Sequence, residues 1–299
     1  MRLLVVGSIA FDTVEGPTGP AVEALGGSAV HFSVAASFFT PVRLVGVVGE
    51  DFSGEHVGVL AERLVDLGGL ERAAGKTMRW SGRYLEDMNT RETLSLALNV
   101  FGEFDPKVPE AFRDSELVFL ANGPPAVQRG VLEQVRGRRF AVADTMDHWI
   151  TGTPDELAAL LGRVDGLVLN DEEARMLTGR PSLVAAGREV LARGPRVVIV
   201  KRGEHGATLI TADDLFSLPA YPVASLVDPT GAGDAFAGGF MGYLAATGDL
   251  SGVSLRRALA YATAVASLNV EAFSVERLRG TLCREVAERV AHLREMTRF

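Results

Sequence analysis

The sequence of 299 residues contains a single cysteine, Cys283, which excludes an internal disulfide bond. A chain without disulfides is typical of a reducing compartment, so we expect a cytoplasmic protein. Cys283 itself lies within a helical pattern of apolar residues, and we interpret it as a structural residue rather than a reactive thiol.

Long hydrophobic runs are also scarce, and the 38 acidic residues outnumber the 30 basic ones. The formal net charge is −8, which argues against a surface that binds nucleic acid or an anionic membrane. The apolar stretch over residues 1–8 is too short for a secretory signal or a membrane span, and it predicts a buried strand instead. We therefore expect neither a nucleic-acid partner nor a membrane partner.

Two cofactor-binding motifs are missing or incomplete. The sequence has no G-x-x-x-x-G-K-[ST], which excludes a P-loop kinase. Gly231 and Gly233 supply the G-x-G of a dinucleotide-binding fingerprint, but Phe236 occupies the place of the third small residue. The turn at Gly7, after the first strand, carries no such fingerprint either. A dinucleotide-binding dehydrogenase is therefore only the second enzymatic alternative.

What the sequence does contain is a regular alternation of apolar strand runs and helical patterns. This alternation predicts an α/β fold with a mostly parallel sheet and helices on both faces. The chain has no internal repeat and no long linker, so we expect one domain over residues 1–299. The predicted strands are 2–7, 42–48, 117–120, 140–143, 166–169 and 197–200. The predicted helices are 29–39, 54–67, 126–135, 172–177, 183–192 and 275–298.

Two segments interrupt this alternation. Residues 11–24 are broken by Gly and Pro, and residues 78–100 predict a hairpin that turns near 87–90. A two-residue turn would place Trp80 and Tyr84 on the face opposite the hairpin's leucines, whereas a loop of about three or five residues would bring them together. The two segments form either a small separate sheet or an antiparallel extension of the main sheet. The leucines are Leu94, Leu96 and Leu98.

The most informative stretch is residues 225–240, where an apolar run is followed by Asp228-Pro-Thr-Gly-Ala-Gly-Asp234 and then by a helical pattern. A strand that leads through glycines into a helix N-terminus provides free N–H groups for an anion. Asp234 would repel a bound phosphate, but it suits a proton acceptor beside an attacking hydroxyl. The alternative is a carboxylate that only stabilises the first helical turn.

This stretch resembles the C-terminal signature, D-x-T-G-A-G-D, of the ribokinase (phosphofructokinase-B type) family of carbohydrate and nucleoside kinases. The resemblance extends over residues 7–269. It implies a three-layer α-β-α fold, a β-sheet lid formed by residues 11–24 and 78–100, and an ATP-dependent phosphotransferase that uses Mg²⁺. It also implies a catalytic group made of Gly231, Ala232, Gly233 and the base Asp234.

The resemblance implies an acceptor site near the N-terminus. Asp12 matches the family's aspartate that holds sugar hydroxyls, and Gly26-Gly27 matches its glycine pair. Ribokinases proper have an asparagine that touches the ribose where this chain has His31. His31 would hydrogen-bond a hydroxyl or else serve as a structural histidine. The acceptor is therefore left open between a sugar, an inositol and a nucleoside.

The resemblance also implies a nucleotide and metal site. Asn170 and Glu173 have the spacing of a capping box, and in the family this Asn-x-x-Glu element positions Mg²⁺ and phosphates, through water. Asp144, which follows another strand, is a further candidate for the rim of the site. Asp228 suggests a monovalent cation. The remaining implied nucleotide contacts are Lys201, Gly203, Thr230 and Asn269.

These observations predict an ATP-dependent kinase for a small polyhydroxylated acceptor. A non-catalytic sugar or nucleoside sensor is the alternative from another class, but it would need Asp12 and not Asp234. Because a two-stranded hairpin is marginal alone, its apolar positions must be buried against something, and we expect a homodimer through the lid.

Overall fold

The computed structural model describes residues 1–17 and 19–298 of the chain. Within these ranges nine strands form the main sheet and four form a small second sheet. Numbered along the chain, they are β1 (Leu3–Val6), β2 (Ala10–Gly16), β3 (Gly19–Gly26), β4 (Val42–Val48), β5 (Val65–Arg72), β6 (Met78–Tyr84), β7 (Arg91–Ala97), β8 (Leu117–Leu120), β9 (Phe140–Asp144), β10 (Gly166–Asn170), β11 (Val197–Lys201), β12 (Ala207–Ile210) and β13 (Leu215–Leu218).

The main sheet has the order β13-β12-β11-β10-β9-β8-β1-β4-β5. All neighbours from β11 to β5 pair in parallel, and β12 and β13 extend the sheet by antiparallel pairing at one edge. The inner parallel strands are almost entirely buried, as expected for strands with helices on both faces, whereas the edge strand β5 is partly exposed. Their carboxyl ends therefore meet at one edge, where open α/β sheets bind ligands.

Helices cover both faces of this sheet, and two separate apolar clusters fill the spaces between sheet and helices. The architecture therefore has the predicted three α/β layers. None of the helices within the described ranges is both long and apolar enough to span a bilayer. The helices are α1 (Ser28–Ala36), α2 (Gly54–Ala61), α3 (Pro125–Gln134), α4 (Asp147–Gly152), α5 (Pro154–Leu161), α6 (Asp171–Thr178), α7 (Leu183–Leu191), α8 (Ala232–Thr247), α9 (Gly252–Asn269), α10 (Glu276–Gly280) and α11 (Cys283–Met296).

Close packing of α1 against α8 brings the two halves of the site together. A Cβ atom at Gly238 of α8 would overlap the carbonyl oxygen of Phe32 in α1, so only glycine permits this approach. The first turn of α1 carries His31, and the first turn of α8 carries Asp234. Two helices separated by about 200 residues of sequence thus present their N-terminal ends at one place.

The second sheet has the order β3-β2-β6-β7 and is separate from the main sheet, which excludes the alternative of an edge extension. It comprises residues 10–26 and 78–97, close to the predicted 11–24 and 78–100. Its two hairpins are antiparallel, and β2 joins β6 in parallel. We call this sheet the lid.

A β-bulge sets the register of the lid hairpin. Tyr84 pairs with Arg91 around a six-residue connection, and the register then shifts by one between Ser81 and Gly82, so that Trp80 pairs with Leu96. The bulge, rather than the length of the loop, places Trp80 and Leu96 on one face. A strand pattern alone does not reveal such a shift.

Two predicted helices were too long. The helix predicted over 54–67 ends at Ala61, because Leu64 adopts a left-handed conformation (φ 58°) and Val65 then starts β5, which pairs with β4. The helix predicted over 275–298 is divided into α10 and α11. Thr281 between them is extended, and its hydroxyl accepts a hydrogen bond from Arg277 (2.8 Å). In the first case a tertiary strand pairing overrides a continuous apolar period, and in the second a local side-chain hydrogen bond accompanies the break.

Candidate active site

The segment Asp228–Asp234 forms a tight turn before α8. The Thr230 amide donates to Asp228 Oδ1 (2.9 Å), and Gly231 is left-handed (φ 72°), with its Cα packed directly on the His31 ring. A Cβ at Gly231 would overlap that ring, so both the backbone angle and the contact require glycine. The turn delivers Ala232, Gly233 and Asp234 as the first residues of α8. The Ala232 amide donates to the Pro229 carbonyl (3.1 Å), whereas the amides of Gly233 and Asp234 lie in the first helical turn, where N–H groups lack helical partners and attract anions.

Asp228 has a structural part in this turn. Its side chain is buried, and its two oxygens accept bonds from the amides of Thr230 (2.9 Å) and Ser274 (3.4 Å). The carboxylate thus ties the anion-binding turn to the segment that follows α9. This geometry accounts for Asp228 without a bound cation.

Asp234 has the electrostatic character of a general base. Burial and, to a smaller extent, the nearby charge of Asp144 raise the pKa of its carboxyl group to about 7, against the opposing effect of Lys201 and Arg91. A base with a pKa close to physiological pH combines a useful ionised fraction with useful proton affinity. This electrostatic environment is compatible with the role that the resemblance implied for Asp234.

Lys201 is the last residue of β11 and Asp144 the last residue of β9, on either side of β10, and the two side chains form an ion pair. Lys201 Nζ is 3.7 Å from Asp144 Oδ1, and a Cβ built at Gly233 would lie 2.9 Å from Nζ. The ammonium group therefore sits beside the start of α8, where a phosphate would be drawn by two positive features at once. The sequence indicated Asp144 only as a candidate for the rim of the site.

Asn170 and Glu173 form the expected capping box at the start of α6. The Glu173 amide donates to Asn170 Oδ1 (2.7 Å), and the Asn170 amide donates to Glu173 Oε2 (2.7 Å). Burial raises the pKa of Glu173 to about 7; Lys201 opposes this shift and Asp144 adds to it. Capping and a role in metal binding are compatible, because the cap fixes the direction of the carboxylate.

The carboxylates in this region suit a sparsely held Mg²⁺ ion. Asp144 Oδ1 is buried and has no hydrogen-bond partner among residues 1–17 and 19–298, and burial raises the pKa of this carboxyl group. Those same residues contain no cluster of three or more potential metal-ligating side chains. Mg²⁺ retains several waters and needs only one or two carboxylates beside phosphates, so Asp144 and Glu173 fit it.

A cavity of about 660 Å³ opens beside the anion-binding turn. At one end it is polar, with Asn170, Lys201, Gly203 and Gly233. At the other end it is mostly apolar. The hydroxyls of Thr263 and Ser267 also line that end, but they already donate to helix carbonyls (2.9 and 2.7 Å). The apolar lining residues are Tyr221, Pro222, Val223, Leu226, Phe236, Ala266 and Val270.

The predicted acceptor residues meet on the other side of α8. The Gly27 amide donates to Asp12 Oδ2 (3.3 Å), and a Cβ at Gly26 would overlap the Asp12 carboxylate. Burial raises the pKa of Asp12 to about 6, and the nearby His31 opposes this shift. Asp12 and His31 both line a small pocket of about 10 Å³, together with Asp228 and Thr230.

Asn269 does not line the nucleotide cavity, although the resemblance implied a nucleotide contact there. It is fully buried, its Nδ2 donates to the Thr230 carbonyl (2.9 Å), and its Oδ1 lies 3.1 Å from His31 Nδ1. The structure thus places Asn269 behind the acceptor site. Its sequence neighbours gave no sign of this, because the contact joins residues 238 positions apart.

The lid supplies three residues that the sequence analysis did not assign to the site. Tyr84 is buried, and its hydroxyl accepts a bond from Thr230 Oγ1 (3.4 Å). Arg91 lies close enough to Asp234 to oppose the rise in its pKa. Asn89, at the hairpin tip, lines the nucleotide cavity next to Gly203. The hairpin pattern predicted an apolar stripe and not these polar contacts.

A mostly parallel sheet, an anion-binding helix start with a carboxylate base and a separate lid define a kinase-type site. A family model described as "pfkB family carbohydrate kinase" matches residues 14–278. The chain is 32% identical to a cytidine kinase of Thermococcus kodakarensis over 247 residues, which cover 81% of this chain and 87% of that protein. It is 28% identical to a nucleoside kinase of Methanothermobacter thermautotrophicus, with coverage of 90% and 89%.

Solved structures agree with this assignment at the level of the fold. A nucleoside kinase of Burkholderia thailandensis in complex with inosine superimposes with a TM-score of 0.81 at 19% identity, covering 98% of each chain. A ribokinase of Arabidopsis thaliana complexed with ribose and ATP gives 0.77 at 22% identity, covering 97% of this chain and 98% of that one. The protein belongs to the pfkB family of carbohydrate kinases. The predicted fold, family and enzyme class are confirmed.

Proposed function

We propose that the protein transfers the γ-phosphoryl group of ATP to a hydroxyl of a nucleoside, with Asp234 as the general base. The observation that carries this proposal is the position of a carboxyl group with a pKa of about 7 in the first turn of α8, close to Lys201 of the larger cavity and to Asp12 of the small pocket. A nucleoside is favoured over a free sugar because the cytidine kinase is 32% identical over 81% of this chain, whereas a ribokinase of Arabidopsis thaliana that covers 87% of it is 27% identical. The proposed unit is one kinase domain over residues 1–299.

In this mechanism, Asp234 accepts the proton of the attacking hydroxyl as the bond to the γ-phosphorus forms. The Gly233 N–H group and the dipole of α8 stabilise the charge that develops on the transferred group, and Ala232, whose own N–H donates to the Pro229 carbonyl, places Gly233 in the first helical turn. Gly231 turns the chain into this helix start. Lys201 adds a positive charge at the same place.

The nucleotide would occupy the larger cavity. Its phosphates would lie at the polar end, near Lys201 and Gly203, and its base at the apolar end. Thr230, which the resemblance implied as a nucleotide contact, lines the small pocket on the acceptor side instead. Asp144 and Glu173 would hold hydrated Mg²⁺, which, when bound, neutralises charge on the phosphates. Asn170 orients Glu173 through the capping box. A monovalent cation near Asp228 would be detected as a dependence of the rate on K⁺.

The acceptor would bind at Asp12 and His31, with the backbone of Gly26 and Gly27 close against it. An ionised Asp12 accepts hydrogen bonds only, and this suits hydroxyl groups. The backbone of a glycine pair permits the approach of a ring without steric conflict. A non-catalytic sensor would use the same residues, but it has no need for Asp234.

The proposal is tested by measuring ADP release with a panel of acceptors from three classes: nucleosides, free pentoses and hexoses, and inositols. Mass spectrometry of the product identifies the phosphorylated acceptor. We expect a nucleoside to give the highest kcat/KM. A free sugar as the best acceptor would replace the nucleoside with the second candidate, and the absence of acceptor-dependent ADP release throughout would contradict the kinase proposal.

We also propose a cytoplasmic homodimer formed through the lid. Leu94, Leu96 and Leu98 are all exposed along the lid's edge strand β7 or directly after it, and exposed edge strands invite pairing. The exposed thiol of Cys283 is consistent with a reducing compartment.

Sedimentation or light scattering of wild type and Leu96→Glu tests the dimer. Leu64→Glu is the matched control, because Leu64 is equally exposed but lies outside the lid. We expect a wild-type dimer that only Leu96→Glu dissociates. A monomeric wild type would exclude the dimer.

A further inference from the structure

We propose that Asn269 is a positioning residue that fixes the tautomer of His31, so that His31 Nε2 accepts a hydrogen bond from one hydroxyl of the acceptor. This inference rests on the proposed function, since it concerns how that function's acceptor is recognised. It gives a role to a buried asparagine on α9 that touches neither the nucleotide cavity nor the reacting groups.

The Thr230 carbonyl determines the orientation of the Asn269 amide. A main-chain carbonyl oxygen can only accept, so the atom of Asn269 that lies 2.9 Å from the Thr230 carbonyl must be the NH₂ group. The other end of the side chain is therefore the amide oxygen, which can only accept. That oxygen lies 3.1 Å from His31 Nδ1, and Nδ1 must donate to it.

A neutral imidazole carries one N–H, so a donating Nδ1 leaves Nε2 with a lone pair. His31 is buried, and Nε2 has no hydrogen-bond partner within the part of the chain that the structure describes. The ring cannot easily turn to find one, since it packs on Gly231, where even a Cβ would overlap it. A buried polar atom without a partner is rare in proteins, and in a binding pocket it is expected to meet the ligand.

The pocket therefore presents two hydrogen-bond acceptors, so a bound ligand must supply hydrogen-bond donors. His31 shares the lining of the small pocket with Asp12, whose carboxylate also accepts. A hydroxyl is a donor, whereas a hydrogen atom or a methoxy group at the same ring position is not. A substrate that lacks this hydroxyl would occupy the pocket and leave His31 Nε2 without a hydrogen bond. Such a loss discriminates strongly between substrates with and without the hydroxyl.

Nitrogen-15 NMR of the histidine side chains tests the tautomer without any catalytic turnover. The full-length protein carries five histidines, and loss of one set of signals in His31→Asn assigns those of His31. We expect a protonated Nδ1 and an unprotonated Nε2 in the wild type, and a mixture of tautomers in Asn269→Ala. The opposite tautomer in the wild type, or a ring protonated at both nitrogens, would overturn the inference, whether or not Asn269→Ala folds.

Kinetics with ribonucleosides and their 2′-deoxy and 3′-deoxy analogues test the consequence. We expect wild type to reject one of the two analogues by at least about 100-fold in kcat/KM, and Asn269→Ala to reduce this preference at least about 10-fold. The KM for ATP should not change. Asn99→Ala is the matched control, because Asn99 Nδ2 also donates to a main-chain carbonyl (Thr77, 2.9 Å) but lies outside the site.

The two experiments separate this inference from the proposed function. If no acceptor is phosphorylated but NMR gives the expected tautomer, the proposed function fails and the positioning of His31 by Asn269 remains. If nucleosides are phosphorylated but Asn269→Ala keeps the full wild-type preference for the hydroxyl, the inference fails alone.

Discussion

The acceptor pocket and the nucleotide cavity meet at the start of α8, but they are built in opposite ways. The pocket of about 10 Å³ on the acceptor side is lined by a half-buried Asp12 and a buried His31, and His31 Nε2 has no hydrogen-bond partner among residues 1–17 and 19–298. The nucleotide cavity, about 660 Å³, is charged only at its phosphate end, and at its base end the hydroxyls of Thr263 and Ser267 are already bonded to the helix.

This difference indicates on which side the enzyme can distinguish related ligands most strictly. Buried polar groups that lack partners reject ligands that cannot complete their bonds, whereas an apolar pocket distinguishes related ligands only weakly. The acceptor side is therefore expected to read individual hydroxyl groups. The donor side is expected to hold phosphates firmly and to tolerate changes in the base. The predictions below test this contrast, beginning with the centre that both sides share.

Asp234→Asn should have the largest effect, a fall in kcat of about 10²–10⁴-fold, because an amide cannot accept the proton of the hydroxyl. The affinities for acceptor and nucleotide should change little, since the shape of the side chain is kept. Steady-state kinetics and calorimetric titration of each ligand measure the two effects. A variant with near wild-type turnover would remove Asp234 from the role of base.

Lys201→Ala should weaken the donor side alone. Loss of a charged hydrogen bond to phosphate corresponds to a rise in the KM for ATP of about 10–100-fold. Binding of AMP, which lacks the β- and γ-phosphates, and the KM for the acceptor should change far less. An equal loss for AMP and ATP would show that Lys201 acts by supporting Asp144 rather than by binding phosphates.

Glu173→Gln distinguishes capping from metal binding, because glutamine also completes a capping box. If the charge of Glu173 helps to hold hydrated Mg²⁺, the Mg²⁺ concentration for half-maximal rate should rise by about 10-fold. The melting temperature should stay close to that of wild type. An unchanged Mg²⁺ titration would leave Glu173 with capping alone.

The smallest expected effect is on the pH profile. Asp234 must be ionised to act, and its pKa is about 7, so kcat/KM should fall as the pH decreases through about 7. Asp144 raises this pKa by its negative charge, so Asp144→Asn should move the acid limb to lower pH by about half a unit to one unit. A shift to higher pH would contradict the electrostatic account.

Local sequence features predicted the elements of the site that lie within single turns. Asp228–Asp234 and the capping box of Asn170 and Glu173 are short segments, and their spacing alone specifies their geometry. The alternation of strands and helices likewise predicted the main sheet. Where a helix was predicted too long, over 54–67, a strand pairing with β4 outweighed the local period.

The remaining features depend on contacts between distant residues. The bond between His31 and Asn269 joins α1 to α9, and the approach of Tyr84 to Thr230 joins the lid to the anion-binding turn. Each of these residues has an ordinary local environment in the sequence. Without the topology that brings α1, α8, α9 and the lid together, no spacing rule indicates that they meet.

The contrast between the two sides is tested most directly by one comparison of kcat/KM values. One series removes single hydroxyls from the acceptor, and the other changes the base of the nucleoside triphosphate donor. We predict that the worst deoxy acceptor loses at least about 100-fold, while changes of the donor base cost about 10-fold or less. A donor series more selective than the acceptor series would contradict the account.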